Sequence, residues 1–77
     1  MSDTLLRRSR ARRRLLPALA KAIRLEAKIT LAEIGAAVDV TESAVSRWES
    51  GRRRPRGAAA ERYAEVLSRL ESEIRRG

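Results

Sequence analysis

Thr30 and Thr41, eleven residues apart, each stand directly before a short stretch whose apolar residues recur at spacings of three and four. That spacing gathers the apolar side chains on one face of a helix, and a threonine hydroxyl ahead of it accepts from an otherwise orphaned backbone N–H. Glu33 follows Thr30 by three residues and completes a capping box before Ile34. The pattern predicts helices over Leu31–Val38 and Glu42–Ser50, broken at Asp39-Val40 and stopped by Gly51. Ile34 and Val38 are expected to face inward from the first helix, and Val45 and Trp48 from the second, with Val40 filling the turn. Gly35 falls where the two axes come closest, an approach that only a very small side chain permits.

The flanks read as helix too. Pro17 suits a first helical position and holds Leu16 extended, so a helix is predicted from Pro17 to about Ala27. Its apolar face is Leu19, Ala20, Ile23 and Ala27, with Leu16 packing just ahead of it. Arg52 to Arg56 form a loop pinned by Pro55. From Gly57 or Ala58 onward runs the longest helix, with Tyr63, Val66, Leu67, Leu70 and Ile74 on one face. Ile74 lies beyond the reach of so small a core and is expected to pack on a second copy. No stretch alternates with period two. A chain of 77 residues makes one small domain. The expected class is all-α: a compact four-helix domain over 16–77, preceded by a basic arm over 1–15 and ending in a long helix.

Charge divides unevenly along this plan. The net +8 resolves into +7 over residues 1–28, −3 over 29–50, +4 over 51–57 and zero over the rest. Arg7, Arg8, Arg10, Arg12, Arg13 and Arg14 crowd the arm, which like-charge repulsion should keep mobile until a partner neutralises it. Sixteen of the eighteen bases are arginine, whose planar fork meets phosphate oxygens two at a time. Two arginine clusters around a near-neutral apolar block point to a polyanion, nucleic acid ahead of a membrane surface. The uncharged run Leu15–Ala20 is far too short to span a bilayer, and Lys21 interrupts it as a signal peptide. The residues absent also exclude chemistry: without histidine or cysteine there is no zinc-finger ligand set, thiol nucleophile, imidazole base or disulfide.

Two helices crossing over a small residue form a helix-turn-helix, here over 31–50, whose second helix enters the DNA major groove; an αα-corner without a ligand has the same outline. With Val45 and Trp48 inward, positions 42, 43, 46 and 47 point outward. The stretch Thr30 through Pro55, TLAEIGAAVDVTESAVSRWESGRRRP, resembles the phage repressor/Cro-type (Xre-like) helix-turn-helix family, most specifically in its S-R-W-E-S-G-R-R-R-P ending. The similarity extends from Arg24 to Leu67. It implies a lambda-repressor-like fold that binds double-stranded operator DNA, usually as a homodimer, with no cofactor and no catalytic activity.

Carried over position by position, the resemblance places base reading on Thr41, Glu42, Ser43, Ser46 and Arg47, with Ser50 at the far end. Arg47 suits guanine O6 and N7, and Glu42 suits cytosine N4; a phosphate contact for Arg47 and helix-dipole stabilisation by Glu42 are the alternatives. Arg52, Arg53, Arg54 and Arg56 would run along the backbone, and the arm would enter a minor groove or attract phosphate nonspecifically. Arg24 and Glu49 match a structural ion pair of the family. Three departures stand out: Leu31 replaces a glutamine that caps against a phosphate, Asp39 replaces the turn glycine, and the terminal helices are merged. The expected function is a sequence-specific transcriptional regulator, cytoplasmic, bacterial or phage-encoded, with no membrane or small-molecule partner. Two other readings remain: an antitoxin-type protein-binding module that regulates its own promoter, and an architectural or recombination-directing factor bound mainly through the arm.

Overall fold

The computed structural model describes residues 3–77. Its helices are α1 (Asp3–Arg14), α2 (Pro17–Glu26), α3 (Leu31–Val38), α4 (Glu42–Ser50) and α5 (Gly57–Arg76), with no strand among the described residues. The class is all-α, as expected, with one helix more than the four anticipated.

Each of the three middle helices begins and ends for a local reason. Pro17 opens α2 after Leu16, which is extended at φ −61° and ψ 128°. Lys28 closes it in left-handed geometry at φ 60°, and the Ile29 and Lys28 N–H groups donate back to the Arg24 and Leu25 carbonyls at 3.1 Å each. This paired closure satisfies the carbonyls left open at a helix end. At α3 the capping box is complete: Glu33 N–H donates to Thr30 Oγ1 at 3.0 Å, and Thr30 N–H to Glu33 Oε1 at 2.9 Å. Those bonds, the backbone one foremost, hold the exposed Glu33 carboxyl below the usual carboxylate range. Asp39 ends α3 in left-handed geometry at φ 63°, a conformation aspartate tolerates better than most residues. Thr41 Oγ1 accepts from Ala44 N–H at 3.0 Å to start α4, and Gly51 at φ 78° ends it.

The core lies where α2, α3, α4 and α5 meet. Ile34, Val38, Val45, Tyr63 and Leu67 are its largest fully buried side chains, joined by Ala20, Ile23 and Trp48. The Trp48 and Tyr63 rings sit 4.8 Å apart, tilted by 41°, and tie α4 to α5. The Arg62 Nε–H donates to the Val38 carbonyl at 2.8 Å, so α5 also satisfies the end of α3. Tyr63 pays one polar cost: its hydroxyl is buried without a hydrogen-bond partner, and burial pushes its pKa up to about 12.

Three expectations are corrected. The segment expected as a mobile arm is helical over Asp3–Arg14 and packs on α5. Arg14, counted among the free arm arginines, donates from Nε to Glu71 Oε1 at 2.5 Å, and three arginines in the last turn of α1 complement its dipole. Leu16 does not pack ahead of α2; it is 57% exposed, and Leu15 packs against the core in its place. Ile74 packs against this chain's own core, partly buried, because α1 extends the bundle alongside α5. It therefore offers no argument for a second copy.

Candidate nucleic-acid interface

The position of α4 is set by what lies behind and beneath it. Gly35 is buried where α3 crosses the start of α4, and a Cβ there would lie 2.8 Å from the Val40 carbonyl oxygen and 3.3 Å from Glu42 N. Both neighbours are backbone and cannot rotate away. Overpacking of ~1–3 kcal/mol exceeds the ~1 kcal/mol that alanine gains over glycine in a helix. Gly35→Ala is therefore expected to lower the urea midpoint of unfolding, although the same change stabilises an unobstructed helix.

Arg24 fixes α4 from the other side. Its Nε and Nη2 donate to Glu49 Oε2 and Oε1 at 2.6 and 2.9 Å, and Nη1 donates to the Ile29 carbonyl at 3.0 Å. One guanidinium thus joins α2, the turn before α3 and the end of α4. The hydrogen bonds to Glu49 raise the Arg24 pKa above its ordinary value, against desolvation. Both Glu49 oxygens are taken, so this carboxylate serves α4's position and has no free edge for a base.

With Val45 and Trp48 buried, α4 presents Glu42, Ser43, Ser46 and Arg47 to solvent, and Thr41 and Ser50 are exposed at its two ends. The hydroxyls at the ends are partly committed. Thr41 Oγ1 accepts the capping bond and keeps its proton free to donate, whereas Ser50 Oγ donates to the Arg47 carbonyl at 3.1 Å. Glu42 occupies the first turn of α4, where its charge also favours the helix.

Beyond Gly51 the chain turns through Arg52, Arg53 and Arg54, all exposed, and Arg56 follows Pro55. The Arg52 N–H donates to the Arg47 carbonyl at 3.0 Å, so the loop leaves directly from the exposed end of α4. Arg47, Arg52, Arg53, Arg54 and Arg56 line one groove, floored by Ala44, Trp48 and Ala59. The site therefore comprises a small polar surface with one arginine, continued by four more. Reasoning along the chain missed Arg62 and Glu71: their partners lie 24 and 57 residues away, with no local signal to announce them. No group of three histidine, cysteine, aspartate or glutamate side chains among the described residues could hold a metal ion. No helix among them is long and apolar enough to cross a membrane.

A family model described as helix-turn-helix matches residues 21–74, which takes in the second half of α2, all of α3 and α4, and most of α5. No curated protein and no solved structure matches the chain.

Proposed function

Because the chain belongs to the Xre-like, repressor-type helix-turn-helix family of DNA-binding regulators, we propose that it is a sequence-specific transcriptional regulator that lays α4 in the major groove. The observation that carries this reading is the two-sidedness of α4. Val45 and Trp48 are buried and Glu49 is locked to Arg24, while Glu42, Ser43, Ser46 and Arg47 share the exposed side. Arg47 pairs with guanine O6 and N7, Glu42 accepts from cytosine N4, and Thr41, Ser43 and Ser46 donate or accept at neighbouring edges. Arg52, Arg53, Arg54 and Arg56, with Ser50, contact phosphates and set the register without reading sequence. Two-fold pairing, usual in the family, would place two α4 helices ~34 Å apart on half-sites about 10 bp apart.

Arg47→Ala is expected to cost ~1–3 kcal/mol of binding at the preferred site and to relax preference at one base position. Competition binding with duplexes substituted at each position measures both. Equal weakening on every duplex would instead assign Arg47 to a phosphate. Of the other readings, the architectural one binds mainly through residues 1–14, and it predicts that removing them abolishes binding whereas Arg47→Ala barely alters sequence preference.

A further inference from the structure

Helix α1 lies outside the segment that matches the family model, and the major-groove reading gives it no task. Yet it is neither loose nor remote from the interface. Arg12, on α1, lines a groove together with Arg53 and Arg54 of the loop after α4, over a floor that includes Leu15, Pro17 and Pro55. Arg53 and Arg54 also wall the groove that contains Arg47 and Arg52. The arginine surface thus continues from the outer face of α4, through the loop, onto α1.

Gathering Arg12, Arg53 and Arg54 around one groove is electrostatically unfavourable in the free protein, and a phosphate between them relieves it. What holds α1 there is visible. Leu15 packs against the core, and Arg14 pairs with Glu71 at 2.5 Å with both side chains about three-quarters covered. Arg7, Arg8, Arg10, Arg12 and Arg13 remain exposed. An arm that orders on binding loses conformational freedom at that moment, whereas a docked helix has already lost it.

We propose that α1 is a fixed part of the DNA interface: Arg12 binds a backbone phosphate beyond those reached by the loop, and Glu71 is its positioning residue, acting by pinning Arg14. The inference rests on the DNA-binding reading above and adds a contact to it. Its sharpest consequence runs against net charge. Glu71→Gln removes a negative charge from a protein of net +8, which by long-range attraction alone tightens DNA binding. Here it is expected to weaken it.

The test measures affinity for one duplex over a range of salt with the wild type, Arg12→Gln, Glu71→Gln, Glu71→Asp and the Arg12→Gln/Glu71→Gln double variant. Arg12→Gln alters an exposed side chain and leaves the fold intact, so its result stands whatever happens to the Glu71 variants. Arg12→Gln is expected to reduce the slope of log K against log salt by about 0.9, the loss of one phosphate. Glu71→Gln should bind more weakly with the same reduced slope, Glu71→Asp should recover, and the double variant should be no weaker than Arg12→Gln alone. An unchanged slope for Arg12→Gln, tighter binding by Glu71→Gln, or additive losses in the double variant would overturn the proposal. Absence of wild-type binding to any duplex would overturn the DNA reading as well. Binding that responds to Arg47→Ala but not to Arg12→Gln would overturn this inference alone.

Discussion

Glu49→Ala is expected to destabilise the protein by ~3–5 kcal/mol, the usual cost of breaking a buried ion pair from one side. Arg24 is only 9% exposed, and its guanidinium spends two of its three bonding nitrogens on Glu49. Without the carboxylate, that charge keeps only its bond to the Ile29 carbonyl and has little access to water. A chain of 77 residues is stable by ~4–12 kcal/mol at the common ~0.05–0.15 kcal/mol per residue, so the loss is a large share of the total. Urea denaturation monitored by circular dichroism measures it. Replacing both partners with apolar residues, as in Arg24→Met/Glu49→Leu, should recover much of the loss, because no charge is then left unpaired. Failure of that double variant to recover would mean the cost comes from lost packing, not from a stranded charge.

The second large effect is on affinity. If six to ten phosphates are contacted, binding to duplex DNA should weaken by roughly 10³–10⁵ between about 50 and 200 mM salt. The exposed arginines can supply that number. Arg52, Arg53, Arg54 and Arg56 surround one groove, Arg12 adds to the adjoining one, and Arg7, Arg8, Arg10 and Arg13 are exposed along α1. Arg24 and Arg14 do not count toward it, since Glu49 and Glu71 already hold them. Fluorescence anisotropy at a series of salt concentrations measures the slope, and a nearly flat response would contradict a phosphate-dominated interface.

The parts of this molecule legible in its sequence are those whose causes lie within a few residues. The bounds of α3 and α4 follow from Thr30, Glu33, Thr41 and Gly51, each acting on backbone atoms no more than four positions away. Gly35 was legible for a related reason: a two-helix corner this tight brings the turn back over the first helix. The Arg24–Glu49 pair bridges 25 residues, and only the family resemblance suggested it. Helix α1 was not legible at all. Its arginines read as self-repelling, and what opposes that repulsion is a carboxylate 57 residues away. From that omission two others followed. Without α1 beside α5, Ile74 looked stranded, and without a helix entering Pro17 there was no basis for choosing Leu15 over Leu16 as the inward leucine.

The same distinction separates the two jobs assigned to the interface. Charge is spread over arginines from α1, α4 and the loop, whereas the proposed base reading is assigned to α4 alone. Selection from a pool of random duplex DNA, run in parallel with the wild type and Arg47→Ala, tests that division most directly. The wild type should enrich one motif, an inverted repeat with half-sites about 10 bp apart if the protein pairs two-fold, and Arg47→Ala should lose preference at one position of each half-site. If the wild type binds but enriches no motif, or Arg47→Ala enriches the same motif unchanged, α4 does not read sequence through Arg47.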